Sequence, residues 1–252
     1  MRIAGRGRIV VWEGASLWVL AALRDDAGTD FHTHHAIQIT LSLEGGFVIR
    51  TPDQQSAGPV TVVAADARHV FEATGTAAFL FVEPESPMGR AIATRFLAES
   101  TLAERDPASL VSAVAALREC FAADGPDSDL ISAGRLLLAE IAAEAPSKSP
   151  DSRVQTMIEF IRANLDGSLS LDRAATSACL SPSRARHLFA AETGLPFKAY
   201  VLWQRLERAV EHYAGGHSLT AAAHEAGFAD SAHLSRTFRK TFGIPASQLE
   251  LG

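Results

Sequence analysis

Cysteine is scarce: Cys120 and Cys179 are the two in 252 residues. They fall in different expected domains with no metal-ligand spacing. That argues against a disulfide framework or a cysteine-built zinc site, and suits buried thiols in a reducing cytoplasm. No apolar run approaches the ~18 residues that suggest a membrane helix. The start, Met1 to Val11, has Arg2, Arg6 and Arg8 but no apolar stretch followed by a small-residue cleavage site. No signal peptide is expected, and the setting is read as cytoplasmic. A basic excess is also missing, since the net charge is −6. Residues 151–252 carry 11 Lys+Arg and 10 Asp+Glu, so the deficit lies almost wholly in residues 1–150, at −7. A chain with 47% hydrophobic residues can bury proper cores, and its length allows one large domain or two ordinary ones.

One pattern is present twice. Leu171, Ala175, Ala178, Leu180, Phe189, Gly194 and Pro196 return as Leu219, Ala223, Ala226, Phe228, Phe238, Gly243 and Pro245. A repeat that keeps its apolar positions and its turn glycine describes one structural unit used twice. Each copy reads as helix, short turn, helix. Ser170 and Ser218 can cap the first helices, and Ser181-Pro182 and Asp230 can open the second ones. Gly194 and Gly243 stop them. This is a helix-turn-helix pattern, whose second helix can enter a DNA major groove.

The faces left over by the apolar spacing are polar and basic. In the first unit they are Ser183, Arg184, Arg186 and His187. In the second they are Ser231, Ala232, His233, Ser235, Arg236, Arg239 and Lys240, with no acidic residue from Ser231 to Thr241. Arginine can bond two guanine acceptors at once, and serine and histidine can reach bases or phosphates. Two small hairpins with solvated charged faces are the plainer reading of such a run, and the doubling favours DNA. Between the copies, Phe197 to Tyr213 places Leu202, Leu206, Ala209, Val210 and Tyr213 on one face of a single helix, roughly 24 Å long. Such a rod could hold two readers near the roughly 34 Å separation of successive major-groove faces.

Ile158 to Leu249 resembles the DNA-binding domain of the AraC/XylS family of bacterial transcription regulators. The resemblance is strongest in Ala222-Ala223-His224-Glu225-Ala226-Gly227-Phe228-Ala229-Asp230-Ser231. It continues in Leu234-Ser235-Arg236-Thr237-Phe238-Arg239-Lys240 and Gly243-Ile244-Pro245-Ala246. The family pattern there is A-x-x-x-G-F-x-D-x-S, then F-x-R-x-F-K-K-x-x-G-x-S-P. Leu234 stands for the usual phenylalanine, and Pro245-Ala246 departs from the Ser-Pro order. Arg205-Leu206-Glu207-Arg208-Ala209 also matches the family's linker helix. The resemblance implies base contacts from Ser183, Arg186 and His187, and from Ser231, Ala232, His233 and Arg236. It further implies activation through RNA polymerase.

Residues 1–87 read as short strands rich in β-branched and aromatic residues: Ile9 to Trp12, Ser16 to Leu23, Ile37 to Leu43, Phe47 to Arg50, Val60 to Val63 and Ala77 to Val82. Ser16 to Leu23 is also compatible with a helix. Glu44-Gly45-Gly46 and Pro52 to Pro59 supply turns. His32, His34, Gln38 and Gly45 follow the first cupin motif, H-x-H-x3-E-x6-G, with glutamine for glutamate. Gly58 and His69 follow the second, with Ala64, Asp66 and Ala73 in place of its usual residues. The resemblance is to a cupin barrel, the sensor domain common in AraC-type regulators. On one strand His32, His34 and Gln38 would share a face, and His69 could join them. These residues could line a polar effector pocket, or the three histidines could hold a divalent metal with Gln38 as a weak fourth ligand. No other cofactor is implied. His35 would lie on the other face, in a structural role.

Residues 88–145 are alanine-rich and helical. Their stripes could cap the barrel or, as the resemblance implies, pair two subunits. Residues 146–150 form a linker punctuated by Pro146 and Pro150. The expected fold class is α+β: an effector-sensing barrel (1–87), a helical dimerisation segment (88–145), and a DNA-binding domain with two helix-turn-helix units (151–252). The expected function is that of a homodimeric, cytoplasmic, sequence-specific regulator responding to a small-molecule effector, with no membrane partner. Its partners would be double-stranded DNA and RNA polymerase. The alternative is a metal-dependent cupin enzyme with a helical interaction module.

Overall fold

A computed structural model describes residues 5–22, 27–142 and 150–251. The linker expected at 146–150 lies outside them except for Pro150. Met1–Ser147 with Phe238–Gly252 form one compact unit, and Lys148–Thr237 form the other.

The first unit is built on β1 (Gly5–Trp12), β2 (Ala15–Ala22), β3 (Ala27–Gly28), β4 (Ile37–Arg50), β5 (Gln55–Ser56), β6 (Val60–Val63), β7 (Val70–Val82), β8 (Leu102–Glu104) and β9 (Leu249–Leu251). They make one sheet in the order β8-β6-β4-β7-β2-β1-β9, with β3 on β7 and β5 on β4. Strand alternation gives the sheet two faces. From one face Leu17, Val19, Ile37, Ile39, Leu41 and Leu80 pack into a core with α1 (Pro87–Phe96), α2 (Val111–Ala122) and α3 (Asp127–Ala142). Ile92, Leu117, Leu137, Leu138 and Ile141 supply the helical side of that core. Each such side chain contributes about 1.5–3 kcal/mol on burial. The helical stripes are thus largely spent on covering the sheet, leaving Val111 and Leu136 exposed.

One expectation holds and two change here. Ser16 to Ala22 lies in a strand, as read from sequence: β2 pairs with β1 on one side and β7 on the other. The runs Ile37 to Leu43 and Phe47 to Arg50 are one strand, β4. The chain continues through Glu44-Gly45-Gly46 because Gly45 lies opposite Gly75, both at positive φ, beside a register shift at Ser42/Glu44. A Cβ on Gly45 would sit 2.1 Å from the Thr74 carbonyl oxygen, so this crossing requires glycine. Finally, the expected DNA-binding domain, 151–252, loses its last residues as a packing unit. From Phe238 onward the chain folds with the sheet, and β9 adds to β1 in parallel, with Gly5 opposite Leu249.

The second unit contains α4 (Ser152–Arg162), α5 (Leu171–Ser177), α6 (Pro182–Thr193), α7 (Phe197–Ala214), α8 (Leu219–Glu225) and the beginning of α9 (Ser231–Phe242). The capping expected from sequence is present. The Ser170, Ser181 and Ser218 hydroxyls accept from the backbone N–H groups of Arg173, Arg184 and Ala221, and the Asp230 carboxylate accepts from His233. Val154, Met157, Ile161, Ala174, Ala175, Ala185, Phe189 and Tyr200 share a core. The link α7 has 18 residues, a length of about 27 Å. No described helix is long and apolar enough to cross a membrane.

The two helix-turn-helix turns use the same backbone shape with different residues. Gly227 turns at φ 75°, and Cys179 occupies the equivalent place at φ 55°. Cys179 is consequently exposed rather than a buried thiol, and Cys120 is half-buried. A left-handed conformation costs a non-glycine residue on the order of 1–3 kcal/mol. Gly227→Ala must also push a Cβ to 2.6 Å from the Leu165 carbonyl oxygen. We expect Gly227→Ala to lower thermal stability clearly and Cys179→Gly to leave it unchanged or raised. Thermal melts of the two variants check this, and equal loss in both would contradict it.

Candidate functional site

The side chains named for DNA reading sit on α6 and α9, and the structure sorts them. Buried Ala185 and Phe189 turn one face of α6 into the core, which leaves Ser183, Arg184, Arg186 and His187 exposed. The His187 ring donates through Nδ1 to the Ser183 carbonyl at 2.8 Å, which leaves Nε2 for an outside partner. On α9, Leu234 and Phe238 are buried, while Ala232, Arg236, Arg239 and Lys240 are exposed. Ser231, His233 and Ser235 are half-buried. Ser235 donates its hydroxyl to the Ser231 carbonyl at 2.8 Å, and the His233 ring lies edge-on to Phe228. Those two are partly committed to holding the helix. Arg239 donates to the Asp30 carboxylate at 3.0 Å.

The histidine set expected in the first unit comes together by a different route. His32 and His34 lie in the lead-in to β4 rather than on a strand, and Gln38 is on β4. His32 and His69 exchange backbone hydrogen bonds as an isolated bridge. All four side chains are buried. Nδ1 of His32 faces the Asp30 carbonyl at 2.9 Å, that of His34 the Ala36 carbonyl at 3.0 Å, and that of His69 the Ala67 carbonyl at 2.9 Å. A carbonyl only accepts, so each neutral ring carries its proton on Nδ1 and presents an Nε2 lone pair.

Those lone pairs converge. Nε2 of His34 and of His69 lie 3.0 and 3.2 Å from the Gln38 amide oxygen, whose NH2 group donates to Thr40. The three imidazoles can each place a ligand nitrogen within 4.8 Å of the others. Acceptors facing acceptors need either an inverted Gln38 amide or a cation among them. Protonation is a poor remedy. Burial, and then repulsion from His69, pushes His32 down to about 3. Burial holds His34 well below the usual histidine range, and burial also lowers His69. Carbonyls that fix the tautomer of nitrogen ligands are the usual outer support of a metal site, so this donor set fits a divalent first-row ion. His35 points elsewhere, as expected. Burial opposes its charge, but Asp66 at 3.4 Å and Glu85 at 3.3 Å outweigh it and raise it to about 9.

Beside the histidines is a pocket partly open to solvent. Trp18, Phe71, Phe79 and Phe81 line it, His32, Gln38 and Thr29 are its polar edge, and Phe242 and Ile244 complete the wall. The Phe242 ring lies 4.8 Å from Trp18 and 5.7 Å from Phe81, centroid to centroid. Sequence reasoning named the histidines and Gln38 but missed this aromatic wall. The equal parity of Phe79 and Phe81 was its local signal. Nothing local marks Phe242.

A family model described as a helix-turn-helix domain matches residues 174–250. The transcriptional activator RhrA of Rhizobium meliloti is 29% identical over 118 residues, covering 45% of this chain and 37% of RhrA. The arabinose operon regulatory protein of Salmonella typhimurium is 30% identical over 122 residues, covering 47% of this chain and 43% of its own length. The chain thus matches less than half the length of these relatives. In fold, ToxT from Vibrio cholerae O395 is similar over 94% of this chain and 97% of its own, with a TM-score of 0.60 and 10% identity.

The buried imidazoles titrate below their unfolded value near 6.5. Their folded-state pKa is depressed, so their stabilising contribution is full above pH 6.5 and falls as pH drops below it, for His32 down to about 3. Metal-stripped protein should therefore lose melting temperature from pH 7.5 to pH 5, and His34→Leu should lose less. A parallel pH profile in both would contradict the assignment.

Proposed function

We propose that the chain is a DNA-binding transcription regulator of the AraC/XylS family, and that it reads a specific operator through α6 and α9 under control of a small molecule held by its sheet domain. The observation that carries this reading is the doubled, capped helix-turn-helix with Arg184, Arg186 and His187 exposed on one second helix and Arg236 and Lys240 on the other. Each can reach an edge of a base or a phosphate in a major groove. The acidic −7 of residues 1–150 repels DNA, so affinity rests on these local cations and on pairing of two copies. We read the protein as a cytoplasmic homodimer that activates through RNA polymerase.

The effector follows from its cavity. Five aromatic rings and one polar edge favour an apolar molecule bearing a single hydrogen-bonding or metal-binding group. ToxT has been solved with an unsaturated fatty acid bound, which is the same general chemistry. The converging Nε2 atoms favour a second element, a divalent metal on His32, His34 and His69 with the Gln38 oxygen close by. Such an ion would offer a Lewis-acid anchor to the effector. The alternative reading, a metal-dependent enzyme, requires turnover as well as metal.

On a duplex selected from random DNA, Arg236→Ala should cost about 1–3 kcal/mol and relax base choice at one position, while Lys240→Ala weakens all sequences alike. Fluorescence anisotropy on selected and scrambled duplexes separates the two, and equal loss on both for Arg236→Ala would refute base reading. For the metal, elemental analysis of purified protein should find a stoichiometric divalent ion that disappears in His34→Ala. A metal-free parent that also fails to take up added zinc would rule the site out.

A further inference from the structure

Four buried side chains meet beside the pocket, and none of them carries a charge. His32, His34 and His69 each keep a proton on Nδ1 for a backbone carbonyl, so each offers a neutral Nε2. Gln38 is an amide. Its Nε2 donates to the Thr40 hydroxyl at 2.9 Å, which turns its oxygen toward Nε2 of His34 and His69 at 3.0 and 3.2 Å. Among the described residues no carboxylate belongs to the cluster, and no Asp, Glu, Lys or Arg lines the pocket. The next residue in the chain differs. His35, also buried, has two carboxylates beside it, Asp66 at 3.4 Å and Glu85 at 3.3 Å. A divalent ion held by His32, His34 and His69 thus brings two positive charges into a buried site that supplies no negative one. Buried charge without a counter-charge is costly, so the compensation must come from whatever enters the pocket.

The rest of the lining is apolar apart from Thr29. Gln38 lies opposite Phe81 across the β4–β7 pair, and the His34 ring is edge-on to Phe81 at 5.1 Å. Phe79 stacks on Phe81 at 6.3 Å, and Phe71 meets Phe79 edge-on at 4.8 Å. We propose that the effector is a carboxylate with an apolar tail, and that Gln38 determines this by leaving the ligand set uncharged. This rests on the metal reading above and adds the sign of the charge that the pocket accepts. The head completes the charge balance at the histidines, since carboxylate oxygens ligate divalent ions readily beside imidazole. The tail lies along Phe81, Phe79 and Phe71 and gains by leaving water. Gln38→Glu would supply the negative charge from within the protein and so compete with the effector's own.

The test uses the full chain loaded with cobalt(II), whose visible absorption reports its ligands. Acetate probes the head alone, and benzoate and octanoate add two kinds of tail. Acetamide, benzamide and octanamide repeat those shapes without charge. We expect the carboxylates to shift the cobalt bands saturably, benzoate or octanoate at lower concentration than acetate. The amides should need at least about tenfold more. Gln38→Glu should bind cobalt about tenfold more tightly and the carboxylates about tenfold more weakly. The Thr40 hydroxyl can turn to donate to the introduced carboxylate, so the fold accommodates this change. Metal-free parent protein should show no carboxylate binding by calorimetry. Amides that match the carboxylates, or carboxylates that bind metal-free protein equally well, overturn the anionic head. Tails that bind no tighter than acetate overturn the apolar part. Unchanged carboxylate affinity in Gln38→Glu overturns the role of Gln38, and should that variant fail to fold, the head comparison on the parent decides alone. Cobalt that loads but ignores every carboxylate defeats this proposal by itself, whereas cobalt that does not load defeats the metal reading and the proposal with it.

Discussion

A seven-residue helix cannot hold itself together in water, because nucleation is too costly for so few backbone bonds. α5 and α8 are each of this length. They exist because Ala174 and Ala175, and in the other copy Ala222 and Ala223, are small enough to lie fully buried against the next helix. That requirement shapes the reading surface. Once Ala185, Phe189, Leu234 and Phe238 are committed inward, α6 and α9 have only their opposite faces left. The basic residues sit there. The surface proposed for DNA is thus the remainder of a packing solution, repeated with its caps and turns.

The same accounting explains the sheet domain. One face of the sheet is filled by α1, α2 and α3, which leaves the other for function. On that face aromatic rings adjoin buried nitrogen and oxygen acceptors, with the His34 ring edge-on to Phe81. The rings form a wall with little affinity for water. The acceptors meet with no donor between them, because three backbone carbonyls have already taken the imidazole protons. Burial removes protonation as an easy way out, so a metal ion or a rearranged amide must satisfy the cluster. The second unit needs no such device. Its polar groups are caps and latches, such as Arg205 donating to the Leu165 and Gly167 carbonyls.

Much of this was legible from local chemistry. Ser181-Pro182 and Gly194 mark α6 to the residue because cap, first-turn proline and left-handed glycine each act within a few bonds. β6 is legible for a similar reason, as four consecutive β-branched or apolar residues, Val60 to Val63, between turns. The misses share the opposite cause. β8 and β9 have three residues each, too few for an alternation to register, and β9 forms by pairing with a strand some 240 positions away in the chain. Glu44-Gly45-Gly46 looked like a turn because glycine usually is one, whereas here Gly75 opposite makes room for the strand to continue. His32 and His34 were correctly grouped but assigned to a strand, since their spacing of two also suits an extended lead-in. Cys179 was expected inside because cysteine usually is, but it takes the left-handed corner that Gly227 fills in the other copy.

The least legible feature is the division of α9. Its first residues repeat the pattern of α6 and belong with the reader, while Phe242 and Ile244 look like ordinary core residues of the same domain. Their partners, Trp18 and Phe81, lie far off in sequence, so only the folded chain reveals that the helix ends in the wall of the cavity.

The most direct measurement of the central claim is selection of duplexes from random DNA by the full chain, followed by sequencing. Two readers on one polypeptide predict two enriched blocks about one helical turn, ~10 base pairs, apart on the same face, with the block read by α9 lost in Arg236→Ala and the block read by α6 lost in Arg186→Ala. A single block insensitive to one of these substitutions, or no enrichment over the starting pool, would contradict it.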